Sequence, residues 1–225
     1  MPTPSAFSTR IYAGGFAAIL ILQSAWLLAA EITRPTLPFF PTNVAEARAA
    51  ATQHSAAAIT ARIGWPRGDL WIDYAIAANA TRLAKIESGV TPLAVHARDT
   101  SSGIVVTAAT LAPSDARAWL LLASTTAESD KMAALLKMSY YTAPYSERLF
   151  PLRIQVVARS PAPFDEELGG YIDYELGMIV RHKPGLKPAV ALAFHVASPT
   201  GRHFLTASIS KLDPNFLSKL QTANQ

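Results

Sequence analysis

Five histidines, His54, His96, His182, His195 and His203, are the side chains that could hold a metal or move a proton near neutral pH. No two of them have the His-x-x-x-His spacing that sets two imidazoles on one helix face. His195 and His203 could approach each other across a turn at Ser198, but partly exposed helix histidines explain them without a metal. Asp165-Glu166-Glu167 could supply the paired carboxylates that glycosidases use. Their place in the first turn of a predicted helix accounts for them equally well, since acidic groups are favourable at a helix N-terminus. Asp173 and Glu175 fall on different faces of that helix. Gly14-Gly15 and Gly169-Gly170 are bare pairs, and no G-x-S-x-G, P-loop or dinucleotide fingerprint occurs. The chain has no cysteine, so a disulfide framework, a thiolate metal site and a cysteine nucleophile are all excluded. Arg181, His182, Lys183 and Lys187 could meet anionic polymer or lipid headgroups, but a solvated helix end is the simpler reading. Trp65, Trp71, Trp119, Tyr140 and Tyr141 could line a peptide groove, with core packing as the default for each. These patterns predict no enzyme, no metal and no cofactor.

The elements that must position these residues are helical. Half of the 225 residues are apolar, and much of that fraction is alanine, the best intrinsic helix former. That is enough to bury a core. The formal charge of +4 is spread thinly and gives no nucleic-acid footprint.

Residues 1–10 form a short N-terminal tail. Ile11 to Ala30 then runs without a formal charge, long enough to span a bilayer core of about 30 Å as a helix. Tyr12 and Trp26 lie towards its ends, where amphipathic rings favour the membrane interface. A retained single-pass anchor is preferred to a cleaved signal peptide, because cleavage after Ala30 would put Leu28 at the −3 position. Arg10 alone precedes the span, and Arg34 and Arg48 follow it, so charge does not set the orientation. The signal-like start places the anchor in the inner membrane with the following domain in the periplasm. Residues 31–42 hold three prolines and read as a semi-rigid spacer.

The remaining domain, 43–225, opens with the capping box Asn43-Val-Ala-Glu46 and a helix to about Ile63. A second helix is expected from Asp69 to about Ile86, with Leu70, Tyr74, Ala77 and Ala78 on one face. Ser88-Gly89 ends it. From Val90, with Pro92 behind it, a loop and then a short helix to Leu111 are expected, although Ile104-Val105-Val106-Thr107 is strand-like in composition. Ser114 or Asp115 can cap the next helix. Another runs from about Asp130 to Tyr141, carrying Ala134, Met138 and Tyr141. Pro161, Pro163 and Asp165 open a helix to about Arg181. Pro188, Ser198-Pro199 and Asp213-Pro214 start three more, and these four short helices form a C-terminal cap.

Pro113 and Pro144 are 31 residues apart, and so are Trp119 and Phe150, an internal helix-turn-helix repeat. Proline, an aromatic six residues on, then leucine and a small residue resemble the tetratricopeptide repeat. Pro113, Trp119, Leu122, Ala123, Ala134, Pro144 and Phe150 carry the likeness. The resemblance implies an all-α, TPR-like array of paired helices that binds protein partners. The wording ARAWLLLA and LLKMSYYTAPYSE is also similar to uncharacterised alphaproteobacterial proteins linked to the envelope and exopolysaccharide. Together these imply a membrane-anchored scaffold of the cell envelope that serves polysaccharide synthesis or export. The alternatives are a periplasmic polysaccharide hydrolase using Asp165 and Glu166, or a cytochrome-assembly or division scaffold.

Overall fold

Alanine-rich segments broken by proline, glycine and side-chain caps favour many short helices over a few long ones. The computed structural model describes residues 6–37, 40, 44–87, 96–160 and 164–222. These contain twelve α-helices and no strand. The first is α1 (Ala6–Ile32). Next come α2 (Val44–Thr52), α3 (His54–Ile63), α4 (Gly68–Glu87) and α5 (His96–Leu111). The middle of the chain forms α6 (Ala116–Thr125), α7 (Ser129–Thr142) and α8 (Phe150–Ala158). The C-terminal part forms α9 (Glu166–His182), α10 (Lys187–His195), α11 (Pro199–Leu212) and α12 (Pro214–Thr222). The expected cap at Asn43, the Ser88-Gly89 break, the Val90–Pro92 loop and the Pro161 and Pro163 starts lie outside the described residues.

α1 contains a stretch from Tyr12 to Ile32, 21 residues of mean hydropathy 1.8, long and apolar enough to cross a membrane. Nearly all of its side chains are exposed. The helix ends two residues beyond the expected boundary at Ala30, so Glu31 and Ile32 belong to it.

Neighbouring helices pair in sequence. α4 packs on α2, α3 and α5, α5 on α6, and α6 on α7, whereas α8 packs on α10. One core joins Leu120, Leu136, Phe150, Ile154, Leu168, Ile172, Leu205 and Ile209 across α6 to α11. A second gathers Ile72, Ile76, Val105, Ala108 and Leu121 from α4, α5 and α6.

The caps explain where several helices begin. Asp115, Asp165 and Ser198 each accept a backbone N–H in the first turn of the helix that follows, and Asp213 does so from Phe216. The single helix expected from Asn43 to Ile63 is divided at Gln53, and each half packs separately on α4. The β-branched run Ile104–Thr107 is helical. It buries Ile104, Val105, Ala108 and Ala109 along one face of α5, and that tertiary burial overrides strand propensity.

Gly201 permits a close crossing. A Cβ there would lie 2.1 Å from the backbone oxygen of Ala158, which already accepts the N–H of Ser198. Backbone cannot yield as a side-chain tip can. Gly201→Ala is expected to destabilise the protein by about 2–3 kcal/mol through overpacking. A lowered thermal midpoint of the full-length protein in detergent would show it. An unchanged midpoint would mean that α8 and α11 cross less tightly.

Candidate functional site

Along α9 two faces separate by helical period. Leu168, Ile172, Glu175, Leu176 and Ile179 are buried, while Glu167, Gly170, Tyr171 and Tyr174 lie on the other side at helical spacing. Opposite that second face stands the end of α7, followed by Pro144 and Tyr145. Between them lies a cleft of about 310 Å³ lined by Pro144, Tyr145, Glu167, Gly170, Tyr171 and Tyr174.

Ring packing shapes this cleft. The Tyr145 and Tyr174 rings meet edge to face at 5.9 Å, and Tyr141 meets Tyr171 similarly at 6.1 Å. Tyr145 is 74% exposed, and Tyr141 and Tyr174 are each 50% exposed. At the rim, Tyr141 donates its hydroxyl to Glu167 at 2.6 Å. Lys137 bridges Asp165 at 2.6 Å and Glu167 at 3.0 Å. The Tyr141 and Lys137 bonds hold Glu167 below the usual glutamate range. Lys137 and the N–H of Leu168 hold Asp165 down likewise. Glu167 lines the cleft, and Lys137 ties Asp165 to it.

Behind the cleft, Tyr171 stacks on Tyr140 at 5.3 Å with the rings 14° from parallel. Tyr140 leads into a buried charge cluster. The Arg153 guanidinium lies 4.2 Å from the centre of the Tyr140 ring, and its Nη1 is 3.6 Å from Oε2 of Glu175. Both charged side chains are essentially inaccessible, at 0% and 1% exposure. Arg153 donates to the Ser139 carbonyl, to the Ser139 hydroxyl at 3.1 Å and to the Ala143 carbonyl at 2.9 Å. It thereby closes the last turn of α7. The Tyr140 hydroxyl, Nη1 of Arg153 and both Glu175 oxygens have no partner at hydrogen-bond distance. Burial pushes the Glu175 carboxyl up to about 8, and the Arg153 charge offsets this only in part. Burial also raises the Tyr140 phenol well above its ordinary value, with Glu175 adding to the effect.

No family model, curated protein or solved structure matches this chain.

The residues of the expected repeat are dispersed. Trp119 is the fourth residue of α6 and donates its indole N–H to the Pro113 carbonyl at 2.7 Å. Phe150 is the first residue of α8 and is buried in the larger core. The 31-residue spacing thus does not carry into helix register. Ala123 is buried in the core that α6 shares with α7, whereas Leu122 is partly buried against the cluster of α4, α5 and α6. Ala134 is exposed, so it takes no part in that core, and Met138 and Tyr141 share its outward side of α7. The buried side carries Met132, Leu136, Ser139 and Tyr140. Pro144 forms one wall of the tyrosine cleft.

A different equivalence joins Trp119 to Trp71. Trp71 is the fourth residue of α4 and donates to the Trp65 carbonyl, six residues back, at 3.0 Å. Each tryptophan also follows an ion pair at the helix start, Arg67 with Asp69 and Asp115 with Arg117. The signal in the sequence is W-P-R-G-D-L-W beside P-S-D-A-R-A-W, with the charges exchanged.

The other candidates are engaged within the fold. Lys183 pairs with Glu147 and Lys187 with Asp213, which takes two charges from the basic cluster. Asp173 is exposed and accepts from Ser208. Among the described residues, no group of three His, Asp or Glu side chains is placed to hold a metal ion.

Proposed function

We propose that this chain is a single-pass, membrane-anchored interaction module of the bacterial cell envelope. Its TPR-like helical array stands in the periplasm and holds partner proteins of polysaccharide synthesis or export. The tyrosine cleft carries this reading. Exposed Tyr145 and Tyr174 beside half-buried Tyr171, with exposed Tyr141 next to them and the Glu167 carboxylate in the lining, have the composition of a protein-binding patch: large, rigid rings with polar tips. The cleft suits a partner segment with apolar side chains for the rings and a basic group for Glu167.

Support for a retained anchor comes from the junction. Ala30 is fully buried between Ala61 and Leu70, so the end of α1 is part of the domain core. Cleavage after Ala30 would strip that cluster.

The hydrolase alternative finds less support. Its general acid must stay protonated near neutral pH, whereas Asp165 is held ionised by Lys137 and caps α9. A cytochrome-assembly or division scaffold shares the architecture and differs in its partner.

The test is in-cell crosslinking of tagged full-length protein, purification from membranes and mass spectrometry, for the wild type and for Tyr145→Ala/Tyr174→Ala. A discrete set of envelope-assembly proteins, reduced about tenfold or more in the double variant, is the expected result; loss of a hot-spot tyrosine pair typically costs about 2 kcal/mol or more. Capture unaffected by the double variant would move the binding face elsewhere. Recovery of the protein alone from the soluble fraction, without its first thirty residues, would sink the anchored module.

A further inference from the structure

The contacts between α1 and the domain form a ladder with a direction. At its top, Thr60 donates to the carbonyl of Thr33, just past the end of α1, at 2.6 Å. Three residues further along α3, the Ile63 carbonyl accepts the indole N–H of Trp26 at 2.7 Å. Trp26 lies six residues before Ile32, about 9 Å back along the axis at 1.5 Å per residue. Helical side chains lean towards the N-terminus, so the indole reaches no higher than its own Cα. α3 therefore descends beside α1.

α4 then climbs again. Arg67 pairs with Glu31 at 3.0 Å, and Asp69 and Asp73 both pair with Arg34, at 3.1 and 2.7 Å. Gly64 makes the crossing possible, since a Cβ there would lie 2.3 Å from Leu70 Cδ1 and 3.3 Å from the Ala30 Cβ. Trp65-Pro66 is the turn of this hairpin, between Gly64 beside Ala30 and Arg67 beside Glu31. Trp65 is 64% exposed and Pro66 is exposed as well.

We infer that the α3–α4 tip is a second membrane contact, with Trp65 seated in the interfacial layer of the bilayer that α1 spans. This rests on the anchor reading above. Glu31, the first acidic residue of the chain, stands with its partner Arg67 in the headgroup layer, and the Trp26 indole favours the hydrocarbon boundary below them. The tip lies between the levels of Glu31 and Trp26, at the boundary of headgroups and acyl chains. Interfacial layers are some 5–8 Å deep on each side of the hydrocarbon, comparable to that interval. Tryptophan is the residue type that favours this layer, and exposed Arg62, one turn earlier, suits lipid phosphate. An indole that would otherwise stand bare in water is thereby covered. The domain does not swing on a tether: the ladder and the tip together fix which face looks away from the membrane.

The absence of native cysteine makes the test direct. Full-length Trp65→Cys, Ile19→Cys and Val106→Cys are each nitroxide-labelled and reconstituted in phosphatidylcholine–phosphatidylglycerol vesicles. Paramagnetic accessibility to oxygen and to a water-soluble nickel chelate is then measured. All three positions are exposed, and Trp71 bonds only the backbone of Trp65, so the fold is kept. The expected result is a Trp65 label several-fold less accessible to nickel than the Val106 label and enriched in oxygen, as at a bilayer boundary. A Trp65 label as open to nickel as Val106, with Ile19 buried in lipid, overturns the tip contact and leaves the anchor standing. An Ile19 label open to nickel overturns the anchor and the tip contact together.

Discussion

Arg153→Met is expected to destabilise the protein by about 3–5 kcal/mol, because it removes a fully buried cation together with the hydrogen bonds that it donates. The guanidinium is fully buried and performs three tasks at once. It faces Glu175 across 3.6 Å, stacks on the Tyr140 ring, and satisfies the Ser139 and Ala143 carbonyls at the end of α7. Methionine fills similar volume and does none of the polar work. The buried Ser139 carbonyl and the half-buried Ala143 carbonyl then lose a charged donor, at about 1–3 kcal/mol for a buried group left unsatisfied. For a chain of this size the thermal midpoint should fall by about 6–20 °C, measured by circular dichroism on full-length protein in detergent. Arg153→Lys keeps a charge but has no planar fork, so it should recover only part of the loss. The Tyr171 ring rests on Tyr140, and the tyrosine cleft should loosen with it. A melting curve matching the wild type would show that the cluster contributes nothing to stability.

Helix starts were legible because a cap is local. Asp115, Asp165, Ser198 and Asp213 stand two or three residues ahead of the groups they bond, and proline at the first helical position marks α11 and α12. The division at Gln53 was not legible. AEARAAATQHSAAAITAR holds no glycine or proline, and what separates α2 from α3 is their packing on α4. Alanine also hides orientation: Ala123 is buried and Ala134 exposed, yet by type either fits a close helix pair. A repeat read from alanine, leucine and aromatic spacing therefore lacked the register that Trp71 and Trp119 share.

The charge cluster was half visible. α9 has an apolar face of Leu168, Ile172, Leu176 and Ile179, and Glu175 is the charge set within it. α8 reads FPLRIQVVA, apolar around a single arginine. Each anomaly can be seen in one dimension. Their pairing cannot, because α8 and α9 are joined through the tertiary core and not by sequence period. The same holds for the cleft, where Tyr141 and Tyr145 from one segment meet Tyr171 and Tyr174 from another.

Glu175 should also make stability depend on pH, and its sign follows from burial. The carboxyl is pushed up to about 8 in the folded chain and returns to about 4.3 on unfolding. Across that interval the folded state holds a proton that the unfolded state has released. The contribution is therefore complete below about pH 4.3 and is lost as pH rises through about 8, up to roughly 3–5 kcal/mol. Asp165, Glu167 and Asp213 are all held below their ordinary values, so their contributions fail only in acid, below the window. Lys137, raised by Asp165 and Glu167, acts above it. Asp73, raised by burial and opposed by Arg34 and Arg117, adds a smaller effect of the same sign as Glu175. Glu175→Gln removes the titrating group and keeps the volume. Between about pH 5 and pH 9 the wild-type thermal midpoint should fall, whereas the variant should stay nearly level and be the more stable of the two near pH 9. Arg153 retains its charge throughout that range, so the difference belongs to the carboxyl. A wild-type midpoint that rises over the interval, or a variant that follows the wild type across it, would mean that Glu175 is already ionised in the fold, with Arg153 outweighing its burial.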